Sequence, residues 1–170
     1  MNDRLAKIKL LILDVDGVMT DGRIIFDSNG IESKFFNVKD GHGIKMLQRA
    51  GIEVAIISGR ESKVVANRAT ELGIERVFQK SLNKMEPYLK IIADTGLADE
   101  EIAFIGDDLI DIPVLKRVGF AAAPADAIEE VLPFVQFITK NCGGWGAVRE
   151  VSDMILKAQN RWEELTARYF

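Results

Sequence analysis

Short aliphatic segments alternate along this chain with segments that carry apolar residues at helical spacing. The candidate strands are residues 8–13, 53–57, 76–78, 102–105, 119–122 and 137–138, the last of these at an edge. Nearly continuous aliphatic runs are typical of strands that are buried on both faces of a sheet. Strands that alternate with helices form right-handed crossovers and a parallel sheet with helices on both sides. We therefore expect an α/β fold with a doubly wound, mostly parallel, Rossmann-like sheet.

Helical spacing of apolar residues is found in residues 41–50, 62–72, 85–95, 111–118 and 147–159. Ser62 is a suitable N-cap and Gly73 a suitable C-cap for the second of these helices. Pro113 lies in the first turn of the fourth, where its missing N–H is harmless. No linker or low-complexity tract divides the 170 residues, so we expect residues 1–170 to form a single domain.

Residues 22–36 interrupt the alternation and are predicted to form a β-hairpin with its turn at residues 27–30. The hairpin carries Ile24, Ile25, Phe26, Phe35 and Phe36. A two-stranded ribbon is not stable alone. Either the body of the domain or another subunit must cover these side chains.

Charge and cysteine content exclude several classes of protein. The 22 basic and 26 acidic residues give a net charge of −4, whereas proteins that bind nucleic acids or anionic membranes carry a basic surplus. The single Cys142 excludes an intrachain disulfide and a thiolate cluster. No apolar run approaches the roughly 18 residues of a transmembrane helix. We expect a cytoplasmic protein that binds neither nucleic acid nor membrane.

Acidic residues follow two of the predicted strands. Asp14 and Asp16 come directly after the first strand, before a bend at Gly17, and ligands of open α/β sheets bind at the carboxyl ends of strands. Two neighbouring carboxylates favour a bound cation; the alternative is an Asp-Gly turn with solvated acids.

Asp107, Asp108 and Asp111 follow the strand at residues 102–105. Asp111 could instead be the N-cap of the helix that contains Pro113. Carboxylates from two strand ends are hard oxygen ligands, which suit Mg²⁺ together with a substrate phosphate.

Phosphate-binding groups are suggested at two further positions. Ser58, Gly59 and Arg60 stand between a strand and a helix, where a hydroxyl and backbone N–H groups can hold a phosphate; the alternative is a simple Ser-Gly turn. Lys84 precedes another helix, and it is either a solvated lysine or a cation for phosphoryl oxygens. Together these groups are the parts that phosphoryl transfer to an aspartate requires.

The order of these motifs resembles the haloacid dehalogenase-like phosphatases. The motifs are Asp14-Val15-Asp16-Gly17, Ser58, Lys84 and Gly106-Asp107-Asp108. Residues 16–22, 40–44, 58–60, 106–111 and 143–150 further resemble the 3-deoxy-D-manno-octulosonate 8-phosphate phosphatase family within that superfamily. Only 43 residues separate Asp14 from Ser58 and 22 separate Lys84 from Asp107, so no cap domain fits at either place.

The resemblance implies hydrolysis of the eight-carbon sugar-acid phosphate through an aspartyl phosphate, in lipopolysaccharide precursor biosynthesis. Asp14 is the implied nucleophile and Asp16 the implied general acid and base. The implied Mg²⁺ ligands are Asp14, the Asp16 carbonyl and Asp107, with Asp108 and Asp111 in support. Ser58, Gly59 and Lys84 would hold the phosphate, and Arg60 the sugar-acid carboxylate, with Arg68 as a further candidate.

The family resemblance also implies a tetramer formed through the hairpins, with a C-terminal segment approaching the neighbouring site. Trp145, in the Gly-rich residues 143–146, stands where the family carries a basic residue, and Trp can stack on a sugar but supplies no charge. Arg60 favours the eight-carbon substrate over a nonulosonate 9-phosphate, whose phosphatases carry an acid there. The tail at residues 160–170 carries Trp162, Tyr169 and Phe170, which either pack on another subunit or are disordered.

Two other classes of protein remain as alternatives. Receiver domains also use an acidic pair, a phosphorylated aspartate, a hydroxyl and a lysine, but their acceptor ends the third strand, where this chain has Ser58. A non-catalytic oligomerising module is the other, motivated by the hairpin. His42 and Cys142 are interpreted as structural residues.

Overall fold

A computed structural model describes residues 1–170 and shows a six-stranded parallel sheet with a separate two-stranded hairpin. The strands are β1 Leu10–Leu13, β2 Ile25–Phe26, β3 Glu32–Ser33, β4 Glu53–Ile57, β5 Arg76–Phe78, β6 Ile102–Ile105, β7 Phe120–Ala123 and β8 Phe137–Ile138. The order in the sheet is β5-β4-β1-β6-β7-β8. Leu13 of the central strand pairs with Ile56 on one side and Ile105 on the other, so the chain segments that follow these strands emerge at one edge.

Helices cover both faces of the sheet, as the alternation predicted. They are α1 Asn2–Leu5, α2 Val38–Arg49, α3 Lys63–Leu72, α4 Met85–Thr95, α5 Ile112–Leu115, α6 Ala147–Ala158 and α7 Trp162–Thr166. Buried residues of α2, α3 and α6, such as Ile44, Leu72 and Ile155, form a core on one face. Tyr88 of α4 and Leu115 of α5 belong to the core on the other face. The doubly wound, Rossmann-like α/β fold is confirmed.

Two helices differ from their predicted bounds by more than one residue. Helix α2 begins at Val38 rather than at residue 41, because the side chain of Asn37 accepts a hydrogen bond from the Lys39 N–H and caps it. A Cβ atom on Gly41 would lie 2.4 Å from the guanidinium of Arg68, so this glycine allows close packing inside the helix instead of marking its start. Helix α5 is shorter than the predicted 111–118.

The hairpin is present, but its ladder is limited to two residues in each strand. Oδ1 of Asp27 accepts hydrogen bonds from the N–H groups of Asn29 and Ile31 and fixes the turn. Phe26 is 56% exposed and Phe35 is 67% exposed, so the body of the domain leaves much of the apolar surface of the hairpin uncovered.

The C-terminal tail is ordered and packs on its own chain. Trp162 packs against the larger core, with the Lys157 ammonium 4.6 Å from its ring centroid. The Tyr169 hydroxyl lies 3.1 Å from Nε2 of His42, whereas Phe170 is fully exposed. The expectation of disorder is therefore wrong for Trp162 and Tyr169, whereas packing of the tail on another subunit stays a prediction. None of the helices has both the length and the apolar character needed to cross a membrane.

Candidate active site

Two aspartates meet where the neighbouring strands β1 and β6 end. Asp14 is 6% exposed, and its N–H donates to the carbonyl of Ile105. Gly17 follows in a left-handed conformation with φ of +95°, and a Cβ atom there would lie 2.0 Å from Oδ2 of Asp107. A side chain at this bend would therefore displace Asp107. Glycine suits the position because it adopts a left-handed backbone without strain and leaves room for the Asp107 carboxylate.

Lys84 joins the loop before α4 to this pair. Its side chain is fully buried, and its Nζ atom donates to Oδ1 of Asp14 at 2.6 Å and to Oδ1 of Asp111 at 2.5 Å. A buried ammonium needs such partners because the loss of hydration is costly. Of the two alternatives for this lysine, solvated surface is wrong: Lys84 is an internal cation beside the proposed nucleophile.

Asp14, Asp107 and Asp111 each offer a carboxylate oxygen within 4.8 Å of the others. Burial and the neighbouring carboxylates raise the pKa of Asp107 to about 8. Burial also raises the pKa of Asp14 to about 6, against the opposing effect of Lys84. For Lys84, burial opposes the charged form, but Asp14 and Asp111 outweigh it and raise its pKa.

These carboxylates fit a divalent cation. Oδ1 of Asp107 is buried and has no hydrogen-bond partner, and burial together with the Asp14 and Asp111 carboxylates raises the pKa of this group. A hard cation between Asp14 and Asp107 would supply the missing partner and favour the ionised form of both groups. The carboxylate donor set is the one that Mg²⁺ prefers.

Asp111 orients the groups around this pair through hydrogen bonds. Its carboxylate is fully buried and accepts hydrogen bonds from the N–H groups of Asp107 and Asp108 as well as from Lys84. Asp111 does occupy the N-cap position of α5, as one interpretation had it, but its side chain makes no capping hydrogen bond there. A Cβ atom on Gly106 would lie 2.6 Å from the Asp111 side chain, which explains the glycine there.

Asp108 faces the solvent, unlike its neighbours. Its side chain is exposed and accepts a hydrogen bond from the N–H of Leu109 at 2.7 Å, capping a short 3-10 turn. It does not belong to the group of three carboxylates that can share a cation.

Ser58 and Gly59 lie after β4, beside the strand that carries Asp14. Ser58 is buried, its N–H donates to the carbonyl of Phe78, and its own carbonyl accepts from Ser81. A Cβ atom on Gly59 would lie 3.2 Å from Ile110 and 3.7 Å from Leu82. The loops that carry Ser58, Lys84 and Asp111 are thus in mutual contact.

Asp16 and Arg60 lie at the side of the site that faces the hairpin. The Asp16 carboxylate pairs with Lys34, and its Oδ2 atom is 3.8 Å from Nη1 of Arg60. Nη2 of Arg60 donates to Oε1 of Glu32 at 3.1 Å. Sequence reasoning missed Glu32 and Lys34, although charged residues two apart in a strand share a face, which is the signal that could have found them.

Other candidate residues serve the packing of the chain. The Arg68 guanidinium stacks over Phe36 at 5.6 Å and pairs with Glu71. His42 contacts Arg149 and Tyr169, in agreement with a structural role.

The Gly-rich residues 143–146 contact the loop that carries the aspartates of their own chain. The N–H of Gly144 donates to Val18, and a Cβ atom on Gly143 would lie 1.7 Å from the carbonyl oxygen of Gly17. Trp145, next to them, is 64% exposed. This segment therefore braces the Asp14 loop from its own subunit.

Known proteins resemble this chain over nearly its whole length. A family model for haloacid dehalogenase-like hydrolases matches residues 38–119. The 3-deoxy-D-manno-octulosonate 8-phosphate phosphatase KdsC of Yersinia pestis is 48% identical over 163 residues, which are 96% of this chain and 87% of that protein. The protein of the same name from Escherichia coli K12 is 46% identical over 157 residues, covering 92% of this chain and 84% of that protein.

A solved structure shares the fold closely. It is the 3-deoxy-D-manno-octulosonate 8-phosphate phosphatase from Moraxella catarrhalis in complex with a magnesium ion, a phosphate ion and a KDO molecule. The two chains superpose with a TM-score of 0.97 at 39% identity, over 99% of this chain and 97% of that one.

Proposed function

Since the chain belongs to the haloacid dehalogenase-like hydrolase family, we propose that it hydrolyses 3-deoxy-D-manno-octulosonate 8-phosphate to the free sugar acid and phosphate, with Mg²⁺ as cofactor. The observation that carries the reaction type is that Asp14 and Asp107 offer carboxylate oxygens to one cation while the buried Lys84 ammonium pairs with Asp14. The substrate follows from relatives of that name at 46% and 48% identity over most of the chain.

In the first half of the reaction Asp14 is the nucleophile. Its carboxylate oxygen bonds to phosphorus as the bond between phosphorus and the sugar oxygen breaks, and Asp16 donates a proton to the departing oxygen. Lys84 stands beside Asp14, where its charge offsets that of the transferred phosphoryl group. Ser58 and the backbone at Gly59 hold the phosphoryl oxygens.

In the second half the aspartyl phosphate is hydrolysed. Asp16, now ionised, takes a proton from a water molecule whose oxygen bonds to phosphorus, and the bond to Asp14 breaks to release phosphate. Asp14, Asp107 and the Asp16 carbonyl would hold Mg²⁺, which would supply positive charge to offset the negative charge of the phosphoryl group. Asp111 orients the Asp107 backbone and Lys84.

Arg60 is proposed to bind the carboxylate of the sugar acid. Its side chain is 37% exposed, and it shares Glu32 with Ser62 of the adjoining helix start. A guanidinium suits a carboxylate because it offers two parallel donors. The second candidate substrate is a nonulosonate 9-phosphate, which presents the same carboxylate one carbon further from the phosphate.

A homotetramer formed through the hairpins is proposed as the working assembly. Ile24, Phe26, Ile31 and Phe35 are each more than half exposed on the same short hairpin, and clustered exposed apolar side chains favour contact with another protein. Without a cap domain, a neighbouring subunit is what would exclude water from the site. A cytoplasmic location stays a prediction from the sequence.

Phosphate release from eight-carbon and nine-carbon sugar-acid phosphates, measured as kcat/KM with and without Mg²⁺, tests the proposal. We expect magnesium-dependent turnover with the eight-carbon substrate preferred, and no turnover by Asp14→Asn. A preference for a nine-carbon substrate would replace the substrate assignment. Absence of turnover on every sugar-acid phosphate would favour the non-catalytic module.

A further inference from the structure

Lys34 is a buried lysine that the proposed reaction does not use. It follows β3 in the hairpin, and its side chain is 1% exposed. The long hairpin side chains around it, such as Phe35, are largely exposed. A lysine is buried to this degree only when its charge is paired.

The partner of Lys34 is the proposed general acid and base. The ammonium contacts Oδ1 of Asp16, and Nζ lies 3.6 Å from Oε1 of Glu32. The other oxygen of Asp16 faces Arg60 at 3.8 Å. The Asp16 carboxylate is therefore held from both sides, by the hairpin and by the loop after β4.

The hairpin itself is fixed to the rim of the site. Glu32 accepts hydrogen bonds from Arg60 and from the hydroxyl of Ser62, and Ser62 also caps α3 through the N–H of Val65. Lys34 thus projects from a ribbon that is anchored to the first turn of a core helix. A side chain on such an anchored element can fix the position of another group.

We propose that Lys34 is a positioning residue, which holds the Asp16 carboxyl where it exchanges protons with the leaving oxygen and with water. This proposal rests on the function proposed above. The contact gives the hairpin a role within its own subunit, in addition to any role in assembly. Lys34 acts through Asp16 and needs no contact with the substrate.

Two substrates with different leaving groups distinguish the loss of a positioning residue from a general loss of structure. A sugar alkoxide is a poor leaving group that needs a proton, whereas 4-nitrophenolate leaves without one. Losing the general acid should therefore slow an alkyl phosphate far more than 4-nitrophenyl phosphate. An unfolded fraction or a damaged phosphate site lowers both activities equally, so it cancels in their ratio.

The experiment measures kcat/KM on two substrates, the best sugar-acid phosphate and 4-nitrophenyl phosphate. The proteins compared are the wild type, the single variants Lys34→Gln, Lys34→Arg and Asp16→Asn, and the Lys34→Gln/Asp16→Asn double variant. Lys39→Gln is the matched control, since Lys39 is an exposed lysine on the neighbouring helix start. We expect Lys34→Gln to lose at least about tenfold more activity on the sugar phosphate than on the aryl phosphate. Lys34→Arg should recover part of that loss.

The double variant tests whether Lys34 acts through Asp16. If it does, Lys34→Gln adds little to the loss already caused by Asp16→Asn, because interacting residues are not additive. Equal losses on both substrates, or additive losses in the double variant, would overturn the proposal. Failure of the proposed function would show separately, as a wild-type enzyme that releases no phosphate from any sugar acid.

Discussion

The Nζ atom of Lys84 lies 2.6 Å from Oδ1 of Asp14, and both groups are buried. The same ammonium contacts Asp111, so a single cation serves two carboxylates beside Asp107. Since a buried ammonium and carboxylate are costly to desolvate separately, each depends on the other for its charged form.

Lys84→Met should therefore affect both activity and stability. Removal of the ammonium leaves Asp14 and Asp111 without their cation, and breaking a buried pair in this way costs about 3–5 kcal/mol. We expect phosphate release to fall more than about a hundredfold and the denaturant midpoint of the metal-free protein to fall. Lys90→Met, at an exposed lysine of the adjoining helix α4, is the control; a Lys84→Met enzyme with wild-type turnover would contradict the assignment.

Gly17→Ala should weaken magnesium activation. Gly17 and Gly51 both have positive φ, so alanine costs about 1–2 kcal/mol of backbone strain at either position. Only at Gly17 would the new Cβ atom meet Asp107, whereas nothing lies within 4 Å of it at Gly51. We expect the Mg²⁺ concentration for half-maximal activity to rise at least about tenfold for Gly17→Ala and to be unchanged for Gly51→Ala. Equal behaviour of the two variants would count against Asp107 as a ligand.

The stability of the metal-free protein should decrease as pH rises. The pKa values of Asp14 and Asp107 are raised from 3.8 to about 6 and about 8, so between these values the folded state binds more protons than the unfolded chain. The free energy of unfolding then falls from about pH 4 to about pH 8. Thermal unfolding in EDTA should give a lower Tm at pH 8 than at pH 5.5.

Added Mg²⁺ should raise the Tm more at pH 8 than at pH 5.5, because protons compete with the metal for the same carboxylates. Asp107→Asn provides the control, because it removes the carboxyl group whose pKa is raised most. This variant should show a smaller change of Tm with pH and a smaller rise of Tm on adding Mg²⁺. A Tm in EDTA that rises from pH 5.5 to pH 8 would contradict the raised pKa values of Asp14 and Asp107.

Phe26→Asp should disrupt the proposed assembly. Phe26 is 56% exposed on the hairpin, and a charge there would be desolvated in any apolar contact between hairpins. Light scattering after size exclusion should show a tetramer for wild type and smaller species for the variant. Leu89→Asp, at an exposed position of α4, should leave the tetramer intact; a monomeric wild type would contradict the proposal.

Much of the fold could be predicted because each element has a local signal. The aliphatic runs of β1, β4 and β6 determine parallel strands, and parallel strands place the residues that follow them at one edge. Asp14, Ser58 and Asp107 could be assigned to one edge of the sheet for that reason alone. Assignment of the remaining site residues depended also on the resemblance of the motifs to a known family.

Sequence reasoning named Lys84 and Asp111 as site residues, but it could not predict contacts between distant segments. Lys84 and Asp111 are 27 positions apart, and nothing local distinguishes this lysine from a solvated one. Asp111 follows the usual pattern of an N-cap, but tertiary contacts take its carboxylate inward. Lys34 belongs to a hairpin whose apolar residues indicated only that the domain or another subunit must cover it, and its contact with Asp16 depends on how the ribbon is anchored.

The central claim is that Asp14 accepts the phosphoryl group. Quenching the enzyme during turnover with Mg²⁺ and 3-deoxy-D-manno-octulosonate 8-phosphate, followed by borohydride reduction, converts an aspartyl phosphate to homoserine, which peptide mass spectrometry can locate. We expect homoserine at position 14 and at no other aspartate. Homoserine at position 16 or 107, or its absence while phosphate is being released, would contradict it.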